Sequence, residues 1–416
     1  MRTWLVLSVA VVSAVACESG PTPEAAVADT GLPVNWEGLP DPFHSPSAQN
    51  RPQVVEAPAD AKLTVPEGFK VEEYLTGDFM RPRFMLLGPN DELVFSDSGA
   101  RNEPNGAVYV SQEGNTKKLI ENLDRPYGLA FHEEWLYVAE PTSVKRYVYD
   151  AEAMTAGDGE EIISFEDMGR GHWTRSLLFD KDHTKLYVSV GSGSNIDLGE
   201  DPMRAALHRY NPDGTGHEVV ATGLRNIIGL EWHPGSAEIW AAVQERDGLG
   251  DDLANDFLVN VKEGEFYGWP YAYNGPHADP RHAEEENYAE IYDAELHAEM
   301  VGKTLYPDVL LGAHVAVLDI KFYTGTQFPE EYRGGLFLAF HGSWNRAERT
   351  GYSVAFIPFK DGQPQSGPQD FLTGWMMGSD MREVWGRPVG LLLLKDGSML
   401  VSEDGGRKIW RVSYGE

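Results

Sequence analysis

A chain of 416 residues with 34 Lys+Arg and 65 Asp+Glu has a formal net charge of −31, so it lacks the basic footprint that general nucleic-acid binding requires. Hydrophobic residues at 42% suffice for a large core, and 44 Gly with 11 Trp, 18 Tyr and 17 Phe favour turn-rich β structure. A single Cys excludes internal disulfides, a Cys-rich zinc site and the Cys-x-x-Cys-His attachment of a covalent haem.

The first predicted element is an address. Arg2 precedes an almost wholly apolar run, Trp4 to Ala16, of signal-peptide length and too short to span a bilayer. It ends in Ser13-Ala14-Val15-Ala16-Cys17, small residues before a cysteine as in a bacterial lipobox, with Ala14 where Leu is usual. Residues 1–17 are expected to be a signal peptide whose cleavage leaves a lipidated Cys17. The protein would then be exported and held by lipid at a membrane, facing the periplasm or cell surface. Residues 18–61 contain eight of the 26 prolines and no strand or helix period, the pattern of a disordered linker.

Residues 62–416 repeat. An apolar strand core recurs as Leu93-Val94-Phe95, Leu136-Tyr137-Val138, Leu186-Tyr187-Val188, Ile239-Trp240-Ala241, Leu336-Phe337-Leu338 and Met399-Leu400-Val401. Each is preceded by a second apolar strand across a polar turn. One interval, between the fourth and fifth copies, is nearly double the others and reads as a loop insertion. Paired short strands at this period predict an all-β, six-bladed β-propeller.

Equivalent positions of different blades meet around one axis. Just before the first strand of each repeat stand Arg81 and Arg83, Arg125, His172 and Arg175, Arg225, His314, and Arg387. Together they predict a positive axial mouth suited to a compact polyanion held by guanidinium forks. His172 is a candidate general base because its free pKa lies near neutral. Gln244 to Asp256 forms an oxygen-rich loop compatible with calcium or with a solvated acidic face. Trp173, Trp344 and Trp385 are candidate flat walls for a planar ligand, although such residues more often serve blade packing. No phosphate loop, dinucleotide fingerprint, serine-hydrolase elbow or His-Glu-x-x-His motif occurs.

The motifs Gly171-His172-Trp173-Thr174-Arg175, Gly223-Leu224-Arg225-Asn226, Glu245-Arg246-Asp247-Gly248, Tyr267-Gly268-Trp269-Pro270, His341-Gly342-Ser343-Trp344-Asn345-Arg346 and Gly386-Arg387-Pro388 carry a resemblance. From about Val65 to Val412 the chain resembles the glucose/sorbosone dehydrogenase family, propellers that use pyrroloquinoline quinone (PQQ), and lies nearer the sorbosone branch. The resemblance implies a PQQ-dependent sugar dehydrogenase with His172 as base and Arg225, Asn226, Arg346, Arg387 and Trp344 on the cofactor. It also implies calcium held through the backbone near Arg246 and Asp247, and electrons passed to a separate acceptor. Two departures stand out: Ile228 replaces a Gln of the glucose branch, and Gly191-Ser192 replaces a Gly-acid pair. The alternatives are a calcium-dependent lactone hydrolase of propeller fold, which would need axial carboxylates, and a non-catalytic binding propeller.

Overall fold

The computed structural model describes residues 38–100, 103–169 and 171–415. The expected signal segment with Cys17, and residues 18–37 of the expected linker, lie outside them. Six four-stranded antiparallel sheets succeed one another along the chain, confirming the six-bladed propeller. The innermost strands are Pro82–Leu87, Leu129–His132, Leu177–Phe179, Ile227–Trp232, Val317–Phe322 and Pro388–Leu393. The second strands, such as Leu93–Asp97 and Met399–Glu403, are buried throughout apart from the half-buried Trp135 that opens Trp135–Glu140. Each is sandwiched between neighbouring blades, which is why it reads as a continuous apolar run rather than an alternating one.

The ring closes by mixing the two ends of the repeat. In blade 6, Phe69–Thr76 supplies the outermost strand and pairs with Lys408–Tyr414. Buried hydroxyls tie blades at the axis: Ser96 Oγ donates to the Tyr127 carbonyl at 2.7 Å, Ser176 Oγ to Ile228 at 2.5 Å, and Ser402 Oγ to Arg83 at 2.6 Å. Tyr127, Ile228, Leu318 and Val389 pack together with Trp173 beside them, and the Tyr127 hydroxyl donates across to the Leu318 carbonyl at 2.9 Å. These side chains plug the channel and make a floor.

The doubled interval is an insertion between Asn255–Asn260 and Val309–Ala313 of blade 4. It contains a helix the strand periodicity did not reveal, Ala294–Lys303, whose Asp293 carboxylate caps the N–H groups of Glu295 and Leu296. Arg246 pins the insertion to the blade. Its fully buried guanidinium bonds the Glu245 carboxylate at 2.8 Å, Asp279 at 3.0 Å and the Pro270 carbonyl at 2.7 Å.

Residues 38–61, expected as part of the disordered linker, are instead laid against the propeller. Phe43 N–H donates to the Leu249 carbonyl, Asn50 caps the Ala347 carbonyl and accepts from Arg349, and Gln53–Val54 pairs in parallel with Glu383–Val384. Proline removes ladder donors without preventing such point-by-point docking.

Closure of the ring leans on Phe69, whose ring meets Phe328, Tyr332, Phe371 and Tyr414 edge-on at 4.8–5.2 Å. Phe69→Ala should lower unfolding free energy by about 3–5 kcal/mol in a denaturant titration, and a loss below about 1 kcal/mol would show that this contact does not hold the ring.

Candidate active site

At one end of the axis the blades enclose a cavity of about 1150 Å³. The loops leading into the innermost strands supply Arg81, Arg125, His172, Trp173, Arg175 and Arg387, and the start of the first innermost strand supplies Arg83. The ends of second strands supply Ser98, His341, Asp404 and Arg407, and the N-terminal arm adds Val54. Among the described lining residues, six guanidiniums face a single carboxylate, Asp404.

The mouth is built by a recurring local device. A group at or just past the end of a blade's second strand catches main-chain N–H donors of the loop that enters the blade. Asp97 accepts from Met80 and Arg81 at 2.7 Å, Glu140 from Asp124 at 2.7 Å, and Glu403 from Arg387 at 3.2 Å. In blade 3 the Ser192 carbonyl takes this part for His172 N–H at 2.9 Å. Asp97, Glu140 and Glu403 thus fix the backbone of the loops bearing Arg81, Arg125 and Arg387 without themselves pairing with a guanidinium, whereas Arg83 is paired with Asp404 and Arg125 with Asp124.

His172 is oriented by the residue at which the sequence departs from the glucose branch. Its Nδ1 lies 3.0 Å from both the carbonyl and the hydroxyl oxygen of Ser192. A carbonyl only accepts, so Nδ1 carries the proton and Nε2 keeps its lone pair. Burial, and then the charges of Arg225 and Arg175, push the His172 pKa down to about 3, so the ring is neutral at physiological pH. Gly191 makes this geometry possible: a Cβ there would stand 2.4 Å from Asn226 Oδ1 and 2.6 Å from His172 Cβ.

Arg175 is 2% exposed and has no carboxylate partner among the described residues; its Nη1 donates to the carbonyls of His172 and Thr174, and its Nε is unsatisfied. Burial and the like charges of Arg204 and Arg125 lower its pKa to about 9. Arg387 is held by the carbonyls of His341 and Gly342. Arg83 and Arg125 lie over the Trp173 ring at 5.5 Å. Asp404 accepts from Arg83 and from His341 Nε2, both at 2.9 Å. Burial would raise the Asp404 carboxyl, but Arg83 and His341 hold it well below the usual carboxylate range.

Of the sequence-predicted residues, His172 and Arg387 line the cavity. Arg225 and Asn226 sit behind His172. The Arg225 guanidinium bonds the Glu245 and Asn195 carbonyls, and Asn226 Nδ2 bonds Gln244 while its Oδ1 is unsatisfied. Arg346 and Trp344 lie elsewhere. Arg346 is neutralised by Asp252 at 2.7 Å, and Trp344 is covered by Arg51 at 5.0 Å, under the N-terminal arm. Trp385 packs between Trp375 and Trp410. His314 bonds the Gly250 carbonyl and Asn345, outside the mouth. Sequence reasoning missed the His341–Asp404 pair, Ser192 as orienting partner, and Arg407. Asp404 follows the strand Met399–Glu403 and carries no sequence pattern of its own.

The residues expected to hold calcium do not fit it in this arrangement. The main-chain oxygen of Asp247 already accepts from Asn195 at 2.9 Å and Arg281 at 2.7 Å, and the Arg246 side chain is consumed by the buried ion network. Among the described residues no group of three or more His, Cys, Asp or Glu is placed to hold a metal. A flat polycarboxylate fits better. The buried Arg175, which has no carboxylate partner among the described residues, the inward Arg387 and the Trp173 floor offer forks and an apolar surface to such a molecule.

Residues 63–415 match the model of the family described as TrAA12-like. The chain is 30% identical over 369 residues to an uncharacterised protein of Borreliella burgdorferi, covering 85% of this chain and 91% of that one. It is 24% identical over 342 residues to a pyrroloquinoline quinone-dependent pyranose dehydrogenase of Coprinopsis cinerea, covering 71% of this chain but only 45% of that enzyme. A calcium structure of the carbohydrate-active enzyme family AA12 protein of Trichoderma reesei superposes with a TM-score of 0.71 at 20% identity, over 87% of this chain and 99% of that one. The arginine-lined propeller mouth and these matches lead to one conclusion: the chain belongs to the TrAA12-like family.

Proposed function

We propose that the protein is a PQQ-dependent sugar dehydrogenase that oxidises an aldose or sorbosone-type hydroxyl, or a hydrated aldehyde. One observation carries the reading: a buried, carboxylate-free Arg175 stands with five more guanidiniums around a hollow that also holds a neutral, correctly tautomeric imidazole. A buried cation without a counter-ion is costly, and a bound polyanion removes that cost. The named relative from Coprinopsis cinerea supports the choice of polyanion.

Arg175 and Arg387, with Arg83 and Arg125 beside Trp173, would hold the cofactor carboxylates. When bound, PQQ supplies the two-electron acceptor for hydride from the sugar carbon. The protein supplies the proton chemistry. His172 Nε2 takes the hydroxyl proton, and Ser192 keeps the ring in the accepting tautomer by binding Nδ1–H. The axial plug of Tyr127, Ile228, Leu318 and Val389 closes the cavity floor against bulk water. Electrons then pass to a separate acceptor. In the same reading Cys17 is lipidated and the enzyme works outside the cytoplasm. A lactone hydrolase would need carboxylates converging at the mouth, whereas the described wall offers one, already engaged by Arg83 and His341.

Protein reconstituted with PQQ should reduce an artificial acceptor dye when given a sugar panel. His172→Ala should cut turnover at least about a hundredfold while leaving the PQQ-induced visible spectral shift intact. Full retained rate in that variant would remove His172 as base. Because burial lowers the His172 pKa, the base is free above that value and lost as pH falls through it. The acid limb of kcat/KM should therefore have its midpoint below 6.5, the ordinary His value. A midpoint at or above 6.5 would contradict the buried setting.

A further inference from the structure

The cavity carries more positive charge than the cofactor balances. We propose that the substrate is an acidic sugar, a hexuronate or a similar aldose bearing a carboxylate, gripped at the lip by Arg81 and Arg407. This rests on the PQQ-dehydrogenase reading of the same site.

Six guanidiniums line the described wall, and Asp404 offsets one of them. Asp124 offsets Arg125 as well, and the three carboxylates of PQQ offset three of the remaining four, leaving one positive charge for one substrate carboxylate. Arg81 and Arg407 are the two lining arginines whose guanidiniums meet no partner among the described residues. Arg83 bonds Ser98 and Asp404, Arg125 bonds Asp124, Arg175 bonds two carbonyls, and Arg387 bonds His341 and Gly342. Such freedom is unusual on this surface. Away from the mouth, Arg146 is paired with Glu160 and Arg209 with Glu263 at 2.8 Å, and Arg346 with Asp252 at 2.7 Å. In a chain with 65 acids, two lip arginines without a carboxylate mark a place kept open for a ligand anion.

Both cations stand on fixed backbone. Asp97 accepts from Arg81 N–H at 2.7 Å, and the turn ending in Arg407 is held by Glu403 accepting from Gly406 N–H at 2.7 Å. The wall is also poorly equipped for a neutral polyol, whose hydroxyls need acceptors. Arginine has none, Asp404 is engaged, His172 Nε2 is reserved for the reacting hydroxyl, and beyond the ring nitrogens of His341 and Trp173 the other uncharged polar side chains among the described lining residues are the hydroxyls of Ser98 and Thr142.

The test compares galacturonate with galactose and glucuronate with glucose as substrates of PQQ-loaded protein. Calorimetric binding of each sugar without dye gives a second readout. The uronates should show at least about tenfold higher kcat/KM than their parent aldoses, and Arg81→Gln with Arg407→Gln should raise the uronate KM about tenfold or more. The parent aldose KM should move less than about twofold in that variant, since it has no anion to lose. Equal or better use of the neutral sugars by the unaltered protein would overturn the proposal, as would loss of the PQQ spectral shift in the double variant, which would assign the pair to the cofactor. If PQQ binds but no sugar is turned over, the dehydrogenase reading fails. Calorimetry then still decides the lip: uronate binding that requires both arginines supports it, and none refutes it.

Discussion

Like charges held in one hollow repel, and that repulsion is the constraint the rest of the mouth answers. Two guanidiniums 10 Å apart cost roughly 1.5 kcal/mol at an effective dielectric constant of about 20, and six of them make many such pairs. Burial adds to the cost, and the lowered pKa of Arg175 is its visible sign. An acidic chain could have dispersed this charge with salt bridges, as it does around Arg146 and Arg209. At the mouth the acids are spent differently.

Asp97, Glu140 and Glu403 each direct a carboxylate oxygen at main-chain N–H groups of the incoming loops. These three carboxylates therefore secure backbone, and of the six cations only Arg83 and Arg125 are paired with an acid among the described residues, Asp404 and Asp124. Ser192 plays the same part in blade 3 and in addition sets the tautomer of His172. Rigid loops, carboxylate-free heads on Arg81, Arg175, Arg387 and Arg407, and a neutral imidazole follow from one arrangement. The strain is relieved when an anion enters, so cofactor binding and site preorganisation are two aspects of the same electrostatics.

The blade count was legible because each second strand is buried on both faces and so prints an apolar triplet such as Leu186-Tyr187-Val188. The phase of Arg81, Arg83, Arg125, His172, Arg175 and Arg387 was legible because radial symmetry turns sequence phase into a common height. Arg225 and His314 shared that phase but not the cavity. Blade 4 carries the insertion, and its loop is occupied by the Glu245–Arg246–Asp279 network and by Asn345. Arg346 and Trp344 were misplaced for a different reason. The N-terminal arm covers Trp344 with Arg51, and a proline-rich segment gives no periodic sign that it will dock. The His341–Asp404 pair joins residues 63 positions apart in two blades, a contact that only folding discloses. The helix Ala294–Lys303 was not legible, because its ten residues are too short and too polar to print a helical period.

The sugar-oxidising chemistry depends on one flat polyanion lodging among these guanidiniums. The most direct measurement is an equilibrium titration of the protein with PQQ at several salt concentrations. Saturation at one PQQ per chain is expected, with affinity falling steeply as salt rises and at least about tenfold weaker in Arg175→Gln. Absence of saturable binding, or binding indifferent both to salt and to Arg175, would contradict the central claim.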